Sequence, residues 1–230
     1  MALQRPWLLM IAAPKEVRSV LDGMGISTPV PEPWAMLPLT PGADLIRCGV
    51  GKSAAAGAVA RWFDPARHAG VLSVGIAGAL PASWLELGAA ILAEPSVFAD
   101  EGVLTPKGFL SLEKMGFGAD APPTHPDPGV RQAWTGLVDA VAPVATVSVC
   151  SGTDALAHEV VARTGAKAEA MEGAACGMAA RRIDPQARFA ELRVISNTTG
   201  NRDRQVWDLG LALARLSEVI GPALRAIEDR

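Results

Sequence analysis

Two glutamates and one asparagine stand where a short apolar run gives way to polar residues, the positions from which α/β enzymes present side chains to ligands. Glu16 follows the run Trp7–Ala13, Glu172 follows Ala166–Ala170, and Asn197 sits at the end of Phe189–Ser196. A pair of carboxylates can activate a nucleophile and oppose developing positive charge. An amide adds a donor that carries no charge. Each residue also has a plainer reading. A carboxylate in a first helical turn complements the helix dipole, and Met171 beside Glu172 could be core.

Several other chemistries lack support. Gly49-Val50-Gly51-Lys52-Ser53 sits between a strand-like run and an Ala-rich one, as a phosphate-binding loop would. However, Ile46 occupies the place of that motif's first glycine. The glycines then read as easing a tight strand-to-helix turn. His68, His125 and His158 are isolated, without the spacing of a zinc site. No Gly-x-Ser-x-Gly elbow is present. No metal and no organic cofactor is expected.

Positioning these residues requires a framework, and the hydrophobic pattern supplies one. Apolar runs at Trp7–Ala13, Asp44–Cys48, Val71–Ile76, Ala89–Ala93, Val144–Cys150, Ala166–Ala170 and Phe189–Ser196 read as strands. Between them, stretches from Pro14, over Ser53–Phe63, Asp154–Thr164, Gly173–Arg181 and Val206–Ile227 read as helices, the last with a break possible at Gly221-Pro222. Alternation of this kind predicts an α/β fold, a three-layer α/β/α sandwich around a mixed central sheet. The chain reads as a single domain over 1–230, with a proline-rich lid or insert near 105–143.

Composition narrows the partners. Half the 230 residues are hydrophobic, and 21 basic against 24 acidic residues leave a net charge of −3. That balance offers no footprint for nucleic acid. No run approaches the roughly 18 apolar residues of a membrane span. Trp7–Ala13 follows Arg5 but runs into Pro14-Lys15-Glu16 without a small-residue cleavage site, so it reads as a buried strand and not a leader. The three cysteines, Cys48, Cys150 and Cys176, are scattered, which suits a reducing compartment and a cytoplasmic location.

Four segments, taken in order, carry a resemblance: Ala12-Ala13-Pro14-Lys15-Glu16-Val17, Val74-Gly75-Ile76-Ala77-Gly78-Ala79-Leu80, Ala170-Met171-Glu172-Gly173-Ala174-Ala175, and Ile195 through Asp203. Together they resemble the nucleoside phosphorylase/nucleosidase superfamily, in its methylthioadenosine nucleosidase and futalosine hydrolase branches. The likeness covers nearly the whole chain. It implies cleavage of a purine N-glycoside through an oxocarbenium-like transition state, comparable to that of glycoside hydrolysis.

By that resemblance, Glu16 activates water, Glu172 binds the ribose hydroxyls, and Met171 packs beneath the sugar. Ile76, Ala77 and Gly78 lie against ribose and base. Phe98 begins the substrate flap, and Gly152 and Thr153 meet the base. Asn197 stands where adenosine-type nucleosidases carry an aspartate. Its amide can donate to N7 or a 6-oxo group without delivering a proton, which favours hypoxanthine as leaving group. Gly200-Asn201-Arg202-Asp203 and Trp207 complete a pattern similar to the futalosine branch, in which Arg202 is a candidate partner for the substrate's benzoate.

The expected reaction is hydrolysis of futalosine to hypoxanthine and dehypoxanthine futalosine, a step of menaquinone synthesis. The alternatives are a methylthioadenosine/adenosylhomocysteine nucleosidase, opposed by Asn197, a phosphorylase, and a non-catalytic nucleoside sensor. The resemblance also implies a homodimer or higher homo-oligomer.

Overall fold

The computed structural model describes residues 5–118 and 122–228. Its elements run β1 (Trp7–Ile11), α1 (Pro14–Gly23), β2 (Met36–Thr40), β3 (Ala43–Arg47), α2 (Lys52–Trp62), β4 (Gly70–Ala79), β5 (Ala90–Phe98), β6 (Gly102–Thr105), β7 (Gly108–Ser111), α3 (Pro128–Trp134), β8 (Ala140–Thr146), α4 (Asp154–Thr164), β9 (Ala168–Ala170), α5 (Gly173–Ile183), β10 (Arg188–Thr198) and α6 (Leu209–Glu228). An eight-stranded sheet has the order β10-β5-β8-β9-β4-β1-β3-β2. It is mixed: β1 is parallel to β3 and β4, and β4 to β10, whereas β4–β9 and β5–β10 are antiparallel.

β10 pairs with β4 as well as β5. Strands β4, β9, β8, β5 and β10 therefore close into a ring, and the open part of the sheet extends from it through β1. Helices cover both faces. On one, Leu9 and Ile11 of β1 and Leu72 and Val74 of β4 pack with Val20 of α1 and Leu216 and Ile220 of α6. On the other, Leu8 and Met10 pack with Val59 of α2 and Cys176 and Ala180 of α5. Burial on both faces is why β1 reads as an unbroken apolar run. Five fully buried side chains of this size contribute on the order of 2 kcal/mol each, which anchors the strand end from which Glu16 departs.

The 105–143 segment, read from the sequence as a lid or insert, carries secondary structure of its own, and its residues 119–121 lie outside the described ones. A β6–β7 hairpin forms at its start, and α3 follows. Asp127 caps α3 by accepting from the Val130 amide at 3.1 Å. Fully buried Trp134 donates from Nε1 to the Ala223 carbonyl at 2.9 Å, fastening α3 to α6. Strand β8 starts at Ala140 and ends at Thr146, so Val147–Cys150 is not strand as expected. Pro143 hid the true start, and Val149 faces solvent. The edge strand β2 was hidden by Pro38. Helix α6 begins at Leu209, later than expected, and runs through Gly221-Pro222 without a break.

Candidate active site

Pro14 opens α1, its fixed φ suited to a first helical turn. Glu16 then falls at the third helical position. There its carboxylate turns back to accept from the Ala13 amide at 2.8 Å, as in half of a capping box. The other oxygen accepts from the Ile76 amide on β4 at 2.9 Å. The two oxygens are thus fixed between the turn after β1 and the backbone of β4. Burial raises the Glu16 pKa above the usual carboxylate value. Arg193 and the Ile76 and Ala13 amides oppose that shift, and the charge of Glu172 reinforces it.

Glu172 immediately precedes α5 and is 5% exposed. One oxygen accepts from the Gly51 amide at 3.0 Å, and the other lies 3.2 Å from Arg193 Nη2. Arg193, on β10, also donates from Nε to Glu191 at 2.8 Å and from Nη2 to Ser73 Oγ at 2.8 Å. Glu191 in turn accepts from Ser96 Oγ. Two carboxylates therefore hold one buried guanidinium directly, and Glu16 adds a third nearby charge; together they raise the Arg193 pKa despite burial. This cluster was not foreseen. Its signal was the alternation Ala190-Glu191-Leu192-Arg193-Val194, which puts two charges on one face of a buried strand.

Gly173 makes room for the cluster, since a Cβ there would come within 1.9 Å of the Glu191 carboxylate. Gly173→Ala is expected to displace Glu191 and, through Arg193, Glu172. Thermal denaturation should show a loss of about 1–3 kcal/mol, the range for overpacking. An unchanged Tm and turnover would mean that the cluster yields freely.

A cavity of about 580 Å³ brings most of the foreseen residues together. Glu16, Ile76, Ala77, Gly78, Met171, Glu172 and Asn197 line it, along with Val50, Trp207, Leu209 and Leu213. Its lining is largely apolar, so the charges within it act in a low dielectric. Asn197 is 7% exposed. Its Oδ1 lies 2.9 Å from Ser196 Oγ, and its Nδ2 donates to the Thr198 carbonyl at 2.9 Å, leaving one amide hydrogen. Glu169, absent from the sequence expectations, also lines this wall.

The remaining foreseen residues lie elsewhere. Phe98 lines a separate cavity beneath the β6–β7 hairpin, with the Lys52 ammonium 5.3 Å from its ring centroid. Thr153 caps α4, accepting from the Leu156 amide at 3.2 Å. Gly152 and Arg202 line a smaller cavity that shares Gly78, Cys150, Glu169, Asn197 and Trp207 with the main one. The Arg202 guanidinium stacks 4.8 Å from the Trp207 ring centroid and donates to Gln205. Among the described residues no cluster of His, Cys, Asp and Glu is placed to hold a metal ion. No described helix is long and apolar enough to cross a membrane.

Two buried carboxylates and an amide around an apolar cavity at strand ends fit nucleoside cleavage, and the family comparison agrees: residues 44–226 match the phosphorylase superfamily, to which the chain belongs. Within it, the chain is 36% identical to the futalosine hydrolase of Acidothermus cellulolyticus over 91% of its own length and 86% of that protein's. It is likewise 36% identical to the futalosine hydrolase of Streptomyces coelicolor, with 83% and 82% covered. Among solved structures, the fold matches a 5'-methylthioadenosine/S-adenosylhomocysteine nucleosidase from Colwellia psychrerythraea in complex with adenine. That match has a TM-score of 0.78 and 18% identity, over 97% and 96% of the two chains. A futalosine hydrolase mutant of Helicobacter pylori matches with a TM-score of 0.71 at 16% identity, over 98% and 99%.

Proposed function

We propose that the chain hydrolyses the N-glycosidic bond of futalosine, releasing hypoxanthine and dehypoxanthine futalosine. The observation that carries this reading is the grouping of Glu16, Glu172 and Asn197 around one cavity. It is supported by relatives named futalosine hydrolase that match most of the chain. Water adds to C1' of the ribose, the bond from C1' to the purine nitrogen breaks, and the proton lost by water ends on the departing base.

Glu16 first takes that proton and then releases it to solvent, from which the departing purine anion is protonated. Burial makes Glu16 a stronger base than a free carboxylate. Glu172, fixed by Gly51 and Arg193, accepts from the ribose hydroxyls and offsets the positive charge that builds on the sugar. Met171 packs beneath the ribose, and Ile76, Ala77 and Gly78 form the adjoining wall. Asn197 donates its remaining amide hydrogen to N7 or O6 of the leaving purine. Arg202, beside Trp207, is offered as partner for the benzoate.

Water, and not phosphate, is the acceptor in this reading. The buried cation of the site, Arg193, is already surrounded by carboxylates, and an anion would meet Glu16 and Glu172 first. The experiment is a comparison of futalosine, aminofutalosine, methylthioadenosine and inosine, with and without phosphate, following free base by chromatography. Release of hypoxanthine from futalosine, indifferent to phosphate, is expected. Faster adenine release from an amino substrate, or a requirement for phosphate, would overturn the assignment.

The same reading treats the chain as one domain, supported by a sheet that draws on Trp7 through Thr198. It also takes the protein to act in the cytoplasm as a homodimer or higher homo-oligomer. Free Cys48, Cys150 and Cys176 support the first. The apolar side chains of Val50 at the cavity mouth and Leu104 and Phe117 near the hairpin, all more than half exposed, support the second.

A further inference from the structure

Gln205 has no part in the reaction as described, yet it is the one partly buried residue among the otherwise exposed residues 201–208. Its side-chain amide is saturated. Nε2 donates to the Ser151 carbonyl at 3.1 Å and to the Gly200 carbonyl at 3.0 Å. Oε1 accepts from Arg202 Nη1 and from Trp207 Nε1, each at 3.0 Å. Both hydrogens and both lone pairs are therefore in use. The partners also fix which way the amide points. Reversed, its oxygen would face two carbonyls and its NH2 two N–H groups.

The main chain of this segment is held without the Gln205 side chain. Gly200 and Arg202 donate their amides to the Ser151 and Gly152 carbonyls at 3.1 and 3.0 Å. Thr198 donates to the Val206 carbonyl at 3.0 Å, and Asp208 to that of Ser196 at 2.9 Å. The last two bonds flank Asn197 and Trp207 and make them an antiparallel pair. It is of the non-hydrogen-bonded kind, with Cα atoms about 4.5 Å apart and side chains close together on one face. Trp207 accordingly stands beside Asn197, and both line the main cavity.

The backbone thus brings Trp207 to the Asn197 end of the cavity, but it does not aim the ring. The residue is 47% exposed, too little enclosed for packing alone to choose its rotamer. Two contacts choose it: the bond from Nε1 to Gln205 and the Arg202 guanidinium 4.8 Å from the ring centroid. Gln205 Oε1 accepts from both groups, so a single oxygen sets the guanidinium and the indole together.

On this basis we infer that Gln205 is a positioning residue of the site, locking the Trp207 indole beside Asn197, where the ring forms a wall that the purine lies against. The inference rests on the futalosine reading, which puts the leaving base at Asn197, and deepens it. Asn197 meets the edge of the base, whereas a flat indole meets its face. Bound substrate and released base make that contact alike. Its loss should therefore be read in binding and not in the chemical step.

The test is Gln205→Met, which keeps the length of the side chain and removes its four hydrogen bonds. The main-chain bonds of the segment remain to hold it in the fold. Hypoxanthine affinity, by calorimetric titration, and the KM of futalosine should both weaken roughly threefold to tenfold, the scale of one neutral hydrogen bond, with kcat within about twofold of wild type. The same substitution in a Trp207→Phe background, where the ring has no N–H to hold, should add little to the loss caused by Trp207→Phe alone. Additive losses in the double variant, an unchanged hypoxanthine affinity in Gln205→Met, or a loss confined to kcat would overturn the inference and leave Gln205 a clasp between two loops.

The order of the ring is read separately in protein labelled with 15N at the tryptophan Nε1 positions, where the Trp207 resonance is the one lost in Trp207→Phe. In Gln205→Met that resonance should shift and its proton exchange faster with water. An unmoved, equally protected resonance would overturn the inference. If the wild type neither binds hypoxanthine nor releases it from futalosine, the functional reading fails, while this resonance still decides whether Gln205 orders Trp207.

Discussion

Glu16→Gln is expected to lower kcat by about 10²- to 10⁴-fold, the usual share of a general base, while hypoxanthine binding changes by no more than a few fold. The amide keeps the side chain's size but cannot take a proton from water. The wild-type pH profile should carry the signature of the same group. Burial, the largest influence, holds the Glu16 pKa above its ordinary value against the pull of Arg193 and the Ile76 amide. As a base it works only when ionised, so kcat/KM should fall as pH drops through that raised value, above the ordinary glutamate figure of about 4.3.

Stability runs with the opposite sign. A folded-state pKa above the unfolded one gives a contribution that is full below the unfolded value and is lost as pH rises through the folded one. At neutral pH the ionised carboxylate is therefore a cost that the ligand-free protein carries for its chemistry. Steady-state kinetics across pH, with calorimetric titration of hypoxanthine, checks both parts. Turnover unchanged in Glu16→Gln would remove this residue from the mechanism.

How much of this site the sequence discloses depends on the kind of signal each residue leaves. Glu16, Glu172 and Asn197 were legible because they end apolar runs, where α/β sheets present ligands, and because the surrounding motifs resemble those of a known superfamily. The mixed sheet between helical layers was legible from the alternation of runs. The closed ring was not, since it depends on β10 pairing with both β4 and β5, a long-range choice without a local signature. Glu191 and Arg193 sit inside a run read simply as strand, and their burial follows from that ring. Glu169 lies two residues before the more conspicuous Met171-Glu172 and carries no signal of its own. Phe98 and Thr153 leave a weaker signal: motif likeness points to ligand contact, while in the fold one lies beneath the hairpin and the other caps a helix.

Arg193→Met should have the largest effect on the fold. Arg193 is 2% exposed and bonded to Glu191, Ser73 and Glu172. Methionine fills much of its volume but leaves Glu191 and Glu172 buried without their cation. Removing one partner of such a cluster costs about 3–5 kcal/mol, or a fall in Tm of roughly 6–20 °C at the 2–4 °C per kcal/mol typical of this chain length. The double variant Arg193→Met/Glu191→Leu removes both formal charges and should recover a good part of that loss, because a buried ion pair is often replaceable by apolar packing.

Turnover should not recover with it. Glu172 would still lack the guanidinium that orients its second oxygen, and Glu16 would lose the positive charge that now restrains its pKa. Thermal denaturation and steady-state kinetics on the two variants separate these effects. A single variant as stable as wild type would show that the carboxylates find other partners or take up protons at little cost. A double variant that regained turnover would show that Arg193 serves the fold alone, and that Glu172 is positioned sufficiently by Gly51 and the start of α5.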